Sequence, residues 1–259
     1  MHFFANHKIL GASLVLCIAV TGLVLWQVLY IRLHYRASVP APAIPRGVER
    51  FGSGGAALTF VVMGDSTSIG QGAPYGQSIA RRSAEYLARR HTVALTNVGV
   101  SGARVADVRV RQLPAAVALK PDVVLLAVGA NDVTHLSGLH GLRTDMVYII
   151  AQLQAANPHV QIVLTGSPAM GSVPRFAPPT QWIAAARTRQ VNDVFTNVVA
   201  AADSRAGYGK VILLPLARET GPIFQHNPGL FAADNFHPNA AGYGVWWGVV
   251  ERRLARLYM

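Results

Sequence analysis

The chain has 259 residues, 51% of them hydrophobic and 14% charged, with a formal net charge of +11. The positive charge lies in scattered pairs such as Arg81-Arg82, Arg89-Arg90 and Arg252-Arg253, with no basic block interleaved with aromatics. This excludes a nucleic-acid-binding footprint and leaves attraction to anionic membrane or cell-wall polymers as the milder reading.

Residues Ile9 to Ile31 form an apolar stretch broken only by small residues, Thr21 and Gln27. As a helix it would run about 35 Å, enough to cross a bilayer. A cleaved signal has a shorter apolar core with a small-residue site close behind. Here the nearest such site, Ala41-Pro42-Ala43, lies beyond Arg32 and Arg36. The expectation is a retained single-pass anchor over residues 1–36, with the membrane engaged through residues 9–31. Lys8 precedes the span, and Arg32, Arg36, Arg46 and Arg50 follow it. Charge alone would place the domain inside, but large domains translocate largely regardless of charge. Residues 37–57 turn to Pro, Ala and Gly and read as a tether, stiff at Pro40, Pro42 and Pro45 and flexible at Gly52-Ser53-Gly54-Gly55.

From residue 58 the pattern alternates. Strand-length apolar runs occur at 58–63, 93–98, 122–128, 160–165 and 211–216. Between and after them, helical spacing appears near 76–90, 103–118, 139–156, 181–203 and 239–257. In the first helical segment Ile79, Ala80, Ala84 and Leu87 share a face opposite Arg81, Arg82, Glu85 and Arg89. All-apolar strands alternating with amphipathic helices predict one α/β domain over residues 58–259, a parallel five-stranded sheet covered on both faces. Tyr243, Trp246 and Trp247 in the last helix are expected in the core rather than in a ligand cage.

Ligands bind outside the carboxyl ends of strands in such sheets. Three strands deliver small polar groups there: Ser66 after the first, Ser101-Gly102 after the second, and Gly129-Ala130-Asn131-Asp132 after the third. Ser66 needs a base to become a nucleophile, and Asp234-Asn235-Phe236-His237-Pro238 offers His237 with Asp234 as its orienting carboxylate. Acyl transfer also needs donors for an oxyanion. The backbone amides of Ser66 and Gly102 and the side-chain amide of Asn131 can supply them. Asp65 and Asp132 read as structural supports.

On these blocks the chain resembles the SGNH, or GDSL, hydrolase family of esterases and lipases. Gly64-Asp65-Ser66 matches the first block, with Thr67 where the family name has Leu. Asn97-Val98-Gly99-Val100-Ser101-Gly102 matches the second, Gly129-Ala130-Asn131-Asp132 the third and Asp234 to Pro238 the last. The resemblance implies a flavodoxin-like three-layer α/β/α sandwich. It implies Ser66 as nucleophile, His237 as base, Asp234 as its partner, and an oxyanion hole from Ser66, Gly102 and Asn131. The activity implied is cleavage of carboxylic esters through an acyl-enzyme, on a small-molecule, lipid or glycan ester. An O-acyltransferase using the same triad on a glycan acceptor, or a non-catalytic binding module of the same fold, are the alternatives. By analogy with anchored relatives, the domain is expected on the outer side of a cell membrane.

Competing motifs fail. Ser68 stands where a G-x-S-x-G elbow needs Gly, and Gly70-Gln71-Gly72 is followed by Tyr75 where a dinucleotide fingerprint needs its third Gly. The nine histidines show no H-E-x-x-H or comparable spacing, so no metal and no other cofactor is expected. The single cysteine, Cys17, leaves no intrachain disulfide. Two loops, Ser167 to Pro179 and Gly221 to Ala233 with Phe224, Leu230 and Phe231, are expected either to line an acyl pocket or to cover the sheet edge.

Overall fold

The structure is a computed structural model that describes residues 2–34, 39–204 and 207–258, with residues 2–12 and 257–258 described by backbone alone. The expected boundary between anchor and tether, at residues 36 and 37, and Arg36 itself lie outside the described residues.

The apolar runs of the sequence become the strands β2 (Ala57–Gly64), β3 (Thr92–Asn97), β4 (Val123–Ala127), β5 (Gln161–Leu164) and β6 (Val211–Leu213). These five pair in parallel in the order β3-β2-β4-β5-β6, with Phe60 opposite Leu95 and Val62 opposite Leu125. This is the flavodoxin-like order, in which the winding reverses between the first strand and its later neighbour. Here that point falls between β2 and β4. A sixth strand, β1 (Glu49–Phe51), adds antiparallel to β3 at one edge. The folded domain therefore reaches back into the stretch that composition reads as tether.

The helices are α1 (His2–His34), α2 (Ile79–Leu87), α3 (Val105–Asp107), α4 (Leu113–Ala118), α5 (Ala130–Thr134), α6 (Leu139–Ala156), α7 (Thr180–Asp203), α8 (Leu216–His226) and α9 (Ala240–Tyr258). A π turn over Val108–Gln112 joins α3 to α4. Ser78 caps α2 by accepting a hydrogen bond from the Arg81 amide at 3.1 Å, satisfying one of the donors a helix start leaves open. Helices α2 and α9 pack together with α8 beside them, while α4, α6 and α7 pack together as a second group. Every residue of β4 is buried. Large side chains such as Phe60, Leu126, Leu153, Phe195 and Tyr243 are fully buried in the core. The three-layer α/β/α sandwich with its five parallel strands is as the sequence predicts.

Helix α1 contains one segment, Ser13–His34, long and apolar enough to cross a membrane. It touches the domain along a narrow stripe. Gln27 is buried, Val24 and Ile31 are half-buried, and their neighbours are exposed.

Candidate active site

Strand β2 is buried over its last five residues and ends at Gly64, where the chain must turn sharply while still flanked by β4. Gly64 has φ +135°, and a Cβ there would lie 1.8 Å from the Ala127 carbonyl oxygen, so only glycine fits. Its N–H donates to Gln112 Oε1 and its carbonyl accepts from Gln112 Nε2, both at 2.8 Å. This buried amide, reaching in from the π turn, pins the strand end that precedes Ser66. The Asp65 N–H donates to the Ala127 carbonyl at 2.9 Å, holding the next residue to β4.

Beyond that point the candidate side chains come together. Ser66 Oγ lies 2.9 Å from His237 Nε2, across 171 positions of sequence. His237 Nδ1 lies 2.6 Å from Asp234 Oδ2. All three residues are buried. With the Nδ1 proton donated to the carboxylate, Nε2 is left as the acceptor facing the hydroxyl. The other Asp234 oxygen, Oδ1, accepts from the backbone N–H groups of Phe236 and His237, each at 3.0 Å. Burial by itself would raise the Asp234 pKa. The hydrogen bonds and charge of His237, with the backbone donors, more than offset it and hold the carboxyl well below its ordinary range.

The loop carrying these two residues closes on itself, with the Ala232 N–H donating to the His237 carbonyl at 2.8 Å and the Asn235 N–H to the Ala232 carbonyl at 2.9 Å, and it is also braced from outside. Arg175 donates from Nε and Nη2 to the Asp234 carbonyl oxygen at 3.1 and 2.7 Å. Its guanidinium lies 4.8 Å from the Phe236 ring centre. Asn239 ties the loop to Gly229 and Phe231, and Phe231 bridges to Pro238. Nothing in the spacing of Arg175 singles it out in the sequence. Gln112 did leave a signal, as a polar residue in helical register with the buried Val105 and Val108.

The expected oxyanion donors are placed as follows. Gly102 takes φ +82° with open space where a side chain would be. Asn131, in the first turn of α5, donates from Nδ2 to the Ala103 carbonyl at 3.1 Å, next to Gly102. That bond fixes the amide by one of its two N–H groups and leaves a second for a ligand. Ser101 Oγ donates to Gln71 Oε1 at 2.6 Å, and the Gln71 N–H donates to the Ser66 carbonyl at 2.9 Å, which links the second block to the first. Gln71 is a site neighbour that sequence reasoning passed over while rejecting a dinucleotide motif.

Asp65 and Asp132 are supports. Asp65 Oδ1 accepts from the Thr67 amide and hydroxyl at 2.8 Å each, and burial pushes its pKa up to about 6. Asp132 Oδ2 accepts from the Val105 amide at 3.1 Å, and burial raises its pKa as well. Among the described residues, no group of three or more His, Cys, Asp or Glu is arranged to hold a metal.

A small cavity, about 30 Å³, lies against Ser66 and His237, walled by Met170, Val173, Phe224, Phe231, Phe236 and Trp246. Both loops left open by the sequence contribute to the cavity wall, Met170 and Val173 from the first and Phe224 and Phe231 from the second. Leu230 packs on the core. Trp246 is a core residue as expected, yet it also walls the cavity, which His237 lines too.

The GDSL-like lipase/acylhydrolase family matches residues 62–245, a span that includes every block of this site. The chain belongs to that family. A GDSL-like esterase of Mycobacterium tuberculosis is 27% identical over 195 residues, covering 72% of this chain and 58% of its own length. The chain therefore spans less than two thirds of that relative. The crystal structure of TesA superposes with a TM-score of 0.62 at 22% identity, covering 77% of this chain and 99% of TesA. A lipolytic G-D-S-L family member from Veillonella parvula gives 0.59 at 16% identity, covering 76% and 98%. At these identities the two structures speak for the fold.

Proposed function

We propose that this protein is a membrane-tethered serine esterase that cleaves short-acyl carboxylic esters. The observation that carries the reading is the unbroken relay from Ser66 Oγ through His237 to Asp234, at 2.9 and 2.6 Å, beside a small apolar cavity. In the first step the Ser66 hydroxyl gives its proton to His237 Nε2 as Oγ attacks the ester carbonyl. Asp234 stabilises the imidazolium that forms. The carbonyl oxygen takes up the negative charge, with the Ser66 and Gly102 amides and the free N–H of Asn131 as its donors. When the intermediate collapses, the alcohol leaves with the His237 proton and the acyl group stays on Ser66. Water then gives a proton to His237 and attacks the acyl carbon. Ser66 is released as it recovers that proton, and the acid departs.

The cavity volume argues for a short acyl group. A water needs roughly 10–15 Å³ by the same measure, so about 30 Å³ holds two or three heavy atoms. An acetyl or propionyl group suits that space better than a fatty acyl chain. The tether is supported by the length and apolar character of Ser13–His34.

The test is a Ser66→Ala protein beside the parent, assayed with p-nitrophenyl esters of graded acyl length. The parent should prefer the shortest chains, and Ser66→Ala should lose both turnover and labelling by a fluorophosphonate. Labelling that persists in Ser66→Ala removes Ser66 as nucleophile, and a preference for octanoyl over acetyl removes the short-acyl assignment. Acid release that is unchanged by added sugar acceptors separates hydrolysis from acyl transfer.

A further inference from the structure

The apolar helix α1 carries a buried amide side chain, Gln27, and the domain uses it. Gln27 Nε2 donates to the Pro178 carbonyl at 2.7 Å, and Gln27 Oε1 accepts from the Thr180 N–H at 3.3 Å. Pro178 and Thr180 belong to the loop that follows β5 at the catalytic edge and runs into α7. A few residues past the helix, Val39 meets the site itself. Its N–H lies 3.4 Å from Asp234 Oδ2, and its carbonyl accepts from Gln71 Nε2 at 2.7 Å. Helix α1 and Val39 thus both contact the catalytic edge, Val39 at the candidate triad itself. Gln27 stands within about 6 Å, along the helix, of the end of the 9–31 stretch at Ile31. If that stretch spans a bilayer, the loop it holds lies at the level of the headgroups.

The surface around that loop has the matching chemistry. Trp182 is 66% exposed and Ile183 45%, both in the first turns of α7 next to Thr180. Leu136 is 61% exposed after α5, beside Ser137, whose carbonyl accepts from Arg187 of α7. Val100 is 46% exposed after β3. Four exposed apolar residues, two in the first turns of α7 and one in each of two loops, therefore rim the carboxyl edge of the sheet. The opposite edge differs: among its described residues it carries Arg89, Arg90, His91, Lys120, His159 and Lys210. Its exposed large apolar groups there are Leu119 and Tyr208. Trp is favoured at membrane interfaces because its ring is amphipathic, and a net charge of +11 favours an anionic leaflet.

We infer that the catalytic edge of this domain lies against the bilayer that holds its own helix α1, and that its substrate is a short-acyl ester of an amphiphile resident in that bilayer. The inference rests on the tethered-esterase reading above. It gives the tether a role beyond retention. By docking at Gln27 and threading past Asp234, the N-terminal segment aims the mouth of the site at the membrane plane, so the substrate reaches Ser66 without leaving the lipid phase.

The test uses the full chain in vesicles of phosphatidylcholine with about a third phosphatidylglycerol. In a Cys17→Ser background, Trp182→Cys, Leu136→Cys and His159→Cys proteins are each labelled with an environment-sensitive fluorophore and quenched by headgroup-region nitroxide lipids. Probes at 182 and 136 should be quenched several-fold more than the probe at 159. Equal quenching at all three positions, in protein that resists carbonate extraction, overturns the docking while leaving the tether intact. Release of the chain by carbonate overturns the tether and the docking together. A second measurement compares turnover of a vesicle-borne acetate of a long-chain alcohol with turnover of soluble p-nitrophenyl acetate. The ratio of the two should fall about tenfold in Trp182→Asp/Ile183→Asp, as an apolar contact with lipid is replaced by charge. An unchanged ratio overturns the substrate assignment.

Discussion

The two halves of the candidate site are held in place by different means. Ser66 follows the end of a central strand, where β4 on one side, Gln112 above and a glycine with no side chain leave it almost no freedom. Asp234 and His237 sit on a loop after α8, held by its own turn hydrogen bonds, by Asn239 within it and by Arg175 reaching in from the loop after β5. A strand end inherits its precision from the sheet. A loop has to be given it one hydrogen bond at a time. The nucleophile half should therefore fail through backbone sterics, and the base half through loss of alignment in a protein that still folds.

The largest effect that would test this contrast is Gly64→Ala. The added methyl would meet the Ala127 carbonyl at 1.8 Å in a backbone conformation that L-residues avoid. Neither β2 nor β4 can move aside, because both are in the middle of the core. The expected loss is more than about 4 kcal/mol, in the exceptional range for a point substitution. Denaturant unfolding of the purified variant measures it. A loss near 1 kcal/mol would mean that the strand end is softer than the contrast requires.

Asn131→Ala comes next and acts on the chemistry. The oxyanion exists only along the reaction path, so a donor aimed at it should be read in kcat rather than in KM. Removing one such donor costs on the order of 10²–10³ in kcat. Because Asn131 Nδ2 also donates to the Ala103 carbonyl, a melting curve on the same preparation is needed. A lower melting temperature with unchanged kcat would make Asn131 a turn former and nothing more.

Arg175→Ala should lower kcat by about 10–10²-fold, the cost of letting a catalytic group drift by around an ångström. Arg175 positions Asp234 through its carbonyl oxygen, and its Nη2 also lies 3.8 Å from Asp234 Oδ2 as an ion pair. Arg175→Lys keeps one donor and the charge but not the two-pronged grip, so it should recover part of the loss. Equal activity of the Ala and Lys variants with the parent would show that the loop holds itself, and the contrast between the two halves would disappear.

How much of this was legible follows from the same distinction. Parallel strands buried on both faces write themselves as apolar runs, and that is why β2 to β6 and the edge that carries Ser66, Gly102 and Asn131 can be read from the sequence. The short strand β1 could not, because Glu49–Phe51 is three residues long, sits on an edge with one neighbour, and is followed by a glycine-rich turn. Its anchors are side-chain contacts: Glu49 accepts from the Tyr75 hydroxyl at 2.7 Å and pairs with Arg81 at 3.2 Å. The Asp–His block was legible as chemistry, since its residues are local to one another. Its brace was not. Arg175 lies 59 positions away, and only the folded chain brings it to Asp234. Gln27 is the same case in the apolar helix, an apparent blemish in composition that turns out to be a point of attachment.

A further effect concerns Asp65, next to Ser66 in the rigid half. Its carboxyl is buried, one oxygen is hydrogen-bonded to Thr67, and the other has no partner among the described residues. Burial raises its pKa from 3.8 to about 6. A raised carboxyl pKa means that the folded protein holds the proton more tightly than the unfolded chain. This contribution is complete below the unfolded value, and it declines as pH rises from about 4 through about 6. Asp234 works in the other direction. Its depressed pKa stabilises the fold above the ordinary carboxylate range, and that contribution is lost only as pH falls below it. The two windows do not overlap, so the pH dependence of unfolding separates them. Replacing Asp65 with Asn removes the titration but keeps an oxygen for Thr67. Between pH 4 and 6 the parent should lose up to about 3 kcal/mol relative to Asp65→Asn, the equivalent of a two-unit shift. Unfolding curves at a series of pH values, run side by side, measure the difference. Parallel curves for the two proteins would mean that water reaches Asp65, and that the nucleophile half is less tightly closed than its burial implies.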